Sequence, residues 1–339
     1  MPVFIGSQRL DVSQPIARIV QIHAEITERA KVLTSQPLQI FGPKGFLYIH
    51  QRELAATTPS DSSISVFGSE DATTCHMIVL RHTGSGAICF AHCDGSDTEN
   101  EVASIIKAVK SLHNTAEGRL ELHIVGGFND ERQLSKNLSH QLLRAFDNQA
   151  EEIHLVTFCV TELNDTMDNG IHLPIIYGLA VNVKTGEIFK AKFQDHQPDE
   201  DLRLAYTLTG GHMVNIYDAK TEQLNIGPYS WTPLPNIDFW LEQEDQQILQ
   251  IPDLNTRTLA CRIPHYQYLS DLACNKPSTF VPQIHSFSTS PEAEPSHFVK
   301  EVRSALQFLK KHPYPSISLF PAGKPRSYKK KDDGEWQRM

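Results

Sequence analysis

The sequence predicts an α/β or α+β protein built on a large mixed or antiparallel sheet system, and three observations predict it. Short β-branched and aromatic runs separated by Gly, Ser and Asp fill residues 46 to 94. Amphipathic helical segments then interleave with strands as far as residue 160, and strand-like runs predominate again from 173 to 240. With 339 residues, 40% hydrophobic and 21% charged, the chain can bury a sizeable core.

In order, Ile16, Ile19, Val20, Ile22, Ile26, Ala30 and Leu33 recur at helical spacing behind Ser13 as cap and Pro15 in the first turn. Strands are predicted over 46–49, 64–67, 77–80 and 87–91. Thr98 with Glu101 reads as a capping box ahead of Val102, Ile105, Ile106 and Val109. A strand over 120–125, a helix over 134–146, a strand over 153–160 and a helix near 199–208 follow. Ser296 caps a last helix that stops at Pro313.

The expected organisation is one domain, formed by residues 1–248 and 288–323. The segment 249–287, rich in Pro without a clear period, reads as a loop or disordered insert. Residues 324–339, with Lys324, Arg326 and Lys329 to Lys331, read as a basic tail, a solvated terminus rather than a nuclear import signal.

A net charge of −9 without a sustained Lys/Arg stripe argues against nucleic acid as partner. No stretch approaches the ~18 apolar residues of a membrane span, and the first residues do not form a signal peptide. The expectation is therefore a cytoplasmic protein, nuclear as a second compartment, with monomer as the default. Its six cysteines, at 75, 89, 93, 159, 261 and 274, stay reduced there, four of them as small buried apolar groups.

The chemistry concentrates between Ser69 and Asp94. Two strand-like runs flank Thr83-Gly84-Ser85-Gly86, and a hairpin centred on Gly84-Ser85 pairs residues whose numbers sum to 169. Met77 then lies opposite His92 and Cys75 opposite Asp94. Cys75 and His92 share a face as diagonal neighbours, roughly 7–8 Å apart at the backbone. An imidazole at that position can deprotonate a thiol of pKa about 8.5 and later return the proton to a leaving amine. Ser69, six residues before Cys75, can reach the far ring nitrogen of His92 and fix its tautomer.

Cys89-x-x-His92-Cys93 also has a partial zinc spacing, but the same register points Cys89 and Cys93 away from His92. His76, on that other face, reads as a hydrogen-bonded structural histidine. Pattern alone leaves open whether Cys75 and His92 react or merely pack, because a one-residue slip would separate them.

Longer motifs enclose this segment: Gln51-Arg52-Glu53-Leu54-Ala55, Asp71-Ala72-Thr73-Thr74-Cys75-His76, Val79-Leu80-Arg81-His82-Thr83-Gly84, His92-Cys93-Asp94-Gly95, Val125-Gly126-Gly127-Phe128, Cys159-Val160-Thr161-Glu162-Leu163-Asn164-Asp165 and Gly227-Pro228-Tyr229-Ser230-Trp231. On these the chain resembles the protein N-terminal asparagine amidohydrolases, with the segment from about 250 to 287 as a departure from their pattern. The Cys-to-His spacing of 17, with a hydroxyl residue six positions before the cysteine, also resembles bacterial chemoreceptor glutamine deamidases and their toxin relatives.

The resemblance implies a sheet-on-sheet core flanked by helices, no metal and no cofactor. It implies Cys75 as nucleophile, His92 as its proton-transfer partner and Ser69 as third member. The substrate would be a protein with a free N-terminal Asn, and the product Asp would pass to arginyl transferase and ubiquitin ligase machinery in N-degron proteolysis. Sensing the α-ammonium requires a carboxylate, for which Asp71, Asp94 and Glu294 are the candidates. Two other readings stand beside this one: a catalytically silent N-terminus-binding module and a cysteine peptidase.

Overall fold

The structure, a computed structural model, describes residues 2–112, 117–250 and 287–339. The Pro-rich segment, with Cys261 and Cys274, lies outside these residues over 251–286.

Two sheets pack face to face, and helices cover the larger one. The larger sheet orders its strands Val214–Asn215, Glu53–Thr57, Ile88–Cys93, His76–His82, Leu120–Gly126, Ile153–Val160, Val3–Ile5 and Gln8–Arg9. It is antiparallel from Glu53–Thr57 to Leu120–Gly126 and parallel where Ile153–Val160 joins its neighbours. The second sheet orders Gln39–Phe41, Ile188–Phe193, Leu179–Asn182, Val66–Ser69 and Phe46–Tyr48. This is the α+β sandwich flanked by helices that was expected.

Alternation explains the layering, since successive strand side chains point to opposite faces. Along the central hairpin, Ile78, Leu80, Cys89, Ala91 and Cys93 face the helices Thr98–Lys110 and Leu134–Asp147. Met77, Val79, Ile88 and Phe90 face the second sheet, where they meet Phe67, Leu179 and Val181. Both faces of the hairpin are therefore dry. Phe46, Tyr48 and Phe193 cover the outer side of the second sheet.

Several local expectations change. The first helical stretch is two helices, Ile16–Ile22 and Ala24–Ser35, separated at His23, whose φ of −116° and ψ of 80° are not helical. Ser13 bonds Asp11 instead of capping, so Pro15 precedes the helix without a side-chain bond. The helix expected to stop at Pro313 spans Phe298–Lys311 and begins after His297 rather than Ser296, and a short helix Pro315–Ser318 follows it. The basic run is not a solvated terminus: Arg326–Lys330 and Trp336–Arg338 extend a sheet begun by Tyr217–Asp218 and Gln223–Ile226, and Tyr328 is buried against Leu224.

Candidate active site

The hairpin register puts Met77 opposite His92 and His76 opposite Cys93, the pairing expected from a turn at Gly84-Ser85. His92 therefore points between the sheets, while Cys89 and Cys93 point to the helix side. That opposition removes the zinc spacing as a ligand set. His76, also on the helix side, accepts its place as a structural histidine through a 2.7 Å bond between Nε2 and Ser139 Oγ.

Ser69 ends its strand in the second sheet and reaches across the sandwich to His92, Oγ to Nδ1 at 2.7 Å. Both residues are buried, at 0% and 3% exposure. His92 Nε2 has no hydrogen-bond partner among the described residues. Ser69 thus occupies one ring nitrogen and leaves the other available. Burial pushes the imidazole down to about 4, against the charges of Asp94 and Asp71, so it is neutral at physiological pH.

Cys75 lies one residue before its strand, half-buried. Its carbonyl accepts from the Gly127 N–H at 3.0 Å. A Cβ on Gly126, whose φ is 139°, would stand 2.4 Å from that same carbonyl oxygen. Only glycine admits so close an approach, which gives the Val125-Gly126-Gly127-Phe128 motif its physical reason. Desolvation pushes the Cys75 thiol well up, with Asp94, Glu294 and Glu101 acting in the same direction and Arg52 against them. The pair therefore rests as neutral thiol and neutral imidazole.

The three candidate acids differ in their surroundings. Asp94 receives Arg52 Nε at 2.6 Å and Gln51 Nε2 at 2.7 Å on one oxygen, and the Ser96 N–H on the other. Asp71, in a left-handed turn at φ 61°, holds His297 Nε2 at 2.9 Å. Glu294 accepts from Ser288 Oγ at 2.6 Å, and no cation pairs with it among the described residues. Burial pushes Glu294 up to about 7, Asp71 and Glu301 add to this, and the Ser288 bond and His297 oppose it. Thr74 and Thr289 share a 2.8 Å hydroxyl bond, tying the Glu294 loop to the Cys75 loop.

Sequence reasoning missed Arg52, His297 and Glu301 as parts of this region. Arg52 was visible in the Gln51-Arg52-Glu53 motif; His297 and Glu301 carried only an i,i+4 spacing. Glu70, Asp71, His196, Glu200, His297 and Glu301 also offer ligand atoms in overlapping groups of three. His196 already bonds Glu70 at Nε2 and Glu200 at Nδ1, both 2.8 Å, an imidazolium held between carboxylates. Burial opposes its charge, but those two bonds raise it to about 10.

A family model described as protein N-terminal asparagine amidohydrolase matches residues 36–258 and 269–338. The chain belongs to this family. The segment expected to depart from the family pattern is matched by it apart from 259–268. Protein N-terminal asparagine amidohydrolases of Homo sapiens and Mus musculus are 51% and 52% identical to the chain over 340 residues, covering 100% of it and 98% of each relative. The family member from Arabidopsis thaliana is 26% identical over 318 residues, 86% of this chain and 81% of the relative. Among the described residues no helix is long and apolar enough to cross a membrane.

Proposed function

We propose that the chain hydrolyses the side-chain carboxamide of an N-terminal asparagine to aspartate, releasing ammonia, with Cys75 as nucleophile, His92 as general base and acid, and Ser69 as orienting third member. The observation that carries this reading is the Ser69 bond to His92 Nδ1, which leaves Nε2 unpaired on the face that Cys75 shares, in a chain aligned end to end with amidohydrolases.

The steps follow from the neutral resting pair. As Cys75 Sγ forms its bond to the carboxamide carbon, the thiol proton moves to His92 Nε2. The resulting imidazolium keeps Nδ1–H on Ser69 Oγ and gives its other proton to the departing nitrogen as the C–N bond breaks, so the leaving group is ammonia. A thioester remains. His92, neutral again, takes a proton from water, whose oxygen attacks the same carbon. The C–S bond then breaks, and the proton returns from Nε2 to sulfur.

Glu294 is the acid best suited to receive the substrate's α-ammonium. Asp94 is already matched by Arg52 and Asp71 by His297, whereas Glu294 is half-buried with a single hydroxyl donor among the described residues. A cation seated there would supply the missing countercharge. A blocked N-terminus or an internal Asn would leave that half-buried carboxyl unpaired, and this is the basis of discrimination. By resemblance, the Asp product enters N-degron proteolysis through arginyl transferase and ubiquitin ligase, in the cytoplasm or nucleus, with the enzyme acting as a monomer.

Three peptides that differ only at the first residue test this reading: free Asn, acetylated Asn and free Gln. The expected result is ammonia release and conversion of amide to acid for the first alone, at unchanged chain length. A shortened product would mark a peptidase instead. Binding of the peptides without turnover would mark a silent N-terminus-binding module.

A further inference from the structure

Thr98 and Glu101 have the spacing of a capping box, yet the helix Thr98–Lys110 starts after Asp97 with no side-chain cap bond. Glu101 turns inward instead and is 1% exposed. Its Oε1 has Ser96 Oγ at 3.5 Å, the edge of bonding distance, and its Oε2 has no hydrogen-bond partner among the described residues. An ionised carboxylate at such a place would lack the donors that normally accompany a buried charge.

What faces Glu101 explains the placement. Ser96 joins it to Asp94, the residue opposite Cys75 beyond the end of the hairpin ladder: the Ser96 N–H donates to Asp94 Oδ1 at 3.0 Å and its hydroxyl lies against Glu101 Oε1. Two carboxyl groups held this close, one of them without donors, do not both ionise. Asp94 is bound to Arg52, which favours its ionised form, so the proton belongs to Glu101. Arg52 is fixed in turn: its N–H donates to the His92 carbonyl at 2.9 Å, and its guanidinium donates to Thr207 and Gly211 carbonyls.

We propose that Glu101 is a positioning residue for Cys75. As a neutral acid it completes a chain Glu101–Ser96–Asp94–Arg52 that holds the strand end opposite the nucleophile and keeps the charge behind it balanced. The remaining charged or titratable groups facing Glu101 are Asp97 before its own helix, with His212 at 4.0 Å from it at the surface, and Cys93 on the adjoining strand. The neighbouring helix Leu134–Asp147 presents Gln141, which is uncharged and bonds Thr98. Burial pushes Glu101 up to about 7, Asp94 adds to this, and Arg52 opposes it. Its ionisation above that point puts a second negative charge beside Cys75 and disfavours the thiolate.

The inference rests on Cys75 being the reacting thiol, but its test does not require deamidation. The rate of Cys75 alkylation by iodoacetamide, read at that residue by peptide mass mapping, is compared across pH between the full chain and Glu101→Gln, which is neutral at every pH. The variant-to-parent ratio should lie near one at pH about 6 and rise at least about threefold above pH about 8, since one added charge at this range shifts a thiol by a fraction of a pKa unit or more. A flat ratio overturns the proposal.

Should Glu101→Gln fail to fold, the parent acid can be read directly. In a Glu294→Gln/Glu301→Gln chain labelled with 13C at the glutamate carboxyls, one glutamate should still titrate near 7. None doing so overturns the proposal equally. If Cys75→Ala abolishes deamidation while the ratio stays flat, only the role of Glu101 falls. If Cys75→Ala retains deamidation, the reading of Cys75 itself falls.

Discussion

Ser69 Oγ and His92 Nδ1 meet at 2.7 Å although the two residues belong to different sheets, so the bond joins the layers of the sandwich at the point where the candidate base sits. It does two things at once. It satisfies a buried ring nitrogen, and it makes Nε2 the nitrogen that can accept a proton.

Removing that hydroxyl should therefore act on turnover more than on substrate binding. Ser69→Ala is expected to lower kcat about 10- to 100-fold with KM little changed, and to lower stability by about 1–3 kcal/mol because Nδ1 is left buried and unpaired. Ser69→Thr should recover much of kcat. Steady-state kinetics with an Asn-initiated peptide, alongside thermal unfolding, separates the two effects. Equal kcat in the parent and Ser69→Ala would remove Ser69 from the mechanism.

With Glu294 as the proposed ammonium anchor, binding should depend on pH through its carboxyl. Its pKa is raised to about 7, so below that pH the carboxyl is protonated and cannot pair with an α-ammonium. The kcat/KM of the parent chain should fall as pH drops through about 7. In Glu294→Gln that limb should disappear, leaving a fall only toward the His92 value of about 4. A charged hydrogen bond of about 1.5–3 kcal/mol predicts a 10- to 100-fold loss of kcat/KM in the variant above pH 7. A variant with the parent's profile would reassign the anchor.

Gly126 tests how tightly Cys75 is held. A Cβ there would lie 2.4 Å from the Cys75 carbonyl oxygen, with backbone rather than a flexible side chain as the obstacle. Gly126→Ala is expected to displace Cys75 and reduce kcat by about two orders of magnitude, since misplacement of about 1 Å costs this much. Circular dichroism would verify the fold, and a fully active variant would contradict the packing described.

Arg203 and Glu53 offer a control away from the chemistry. Their ion pair, at 2.6 Å, is almost wholly buried, with side chains 0% and 3% exposed. Arg203→Met should cost about 3–5 kcal/mol in denaturant unfolding, because Glu53 is left as an uncompensated buried charge. The pH profile of turnover by the folded protein should not move.

How much of this was legible in the sequence depended on range. Gly84-Ser85 and the alternation around it determined the hairpin register, because parity in a strand allows only one dry face for each residue. The meeting of Ser69 with His92 is within reach of the six-residue spacing and is supported by resemblance, but its geometry depends on how two sheets stack. The strand Glu53–Thr57 escaped notice because Ala55 and Ala56 carry little β preference; its neighbours on both sides impose the conformation. Glu101 reads as a cap because spacing cannot reveal that the side chain turns inward beside Ser96. At the C-terminus the lysines dominated the reading, while Tyr328 and Trp336, which decide the packing, were overlooked.

The most direct test of the central claim is ammonia release from an Asn-initiated peptide by the parent chain and by Cys75→Ala. The account predicts one equivalent of ammonia per peptide from the parent and none above background from the variant, with both folded by circular dichroism. Full deamidation by Cys75→Ala would contradict it.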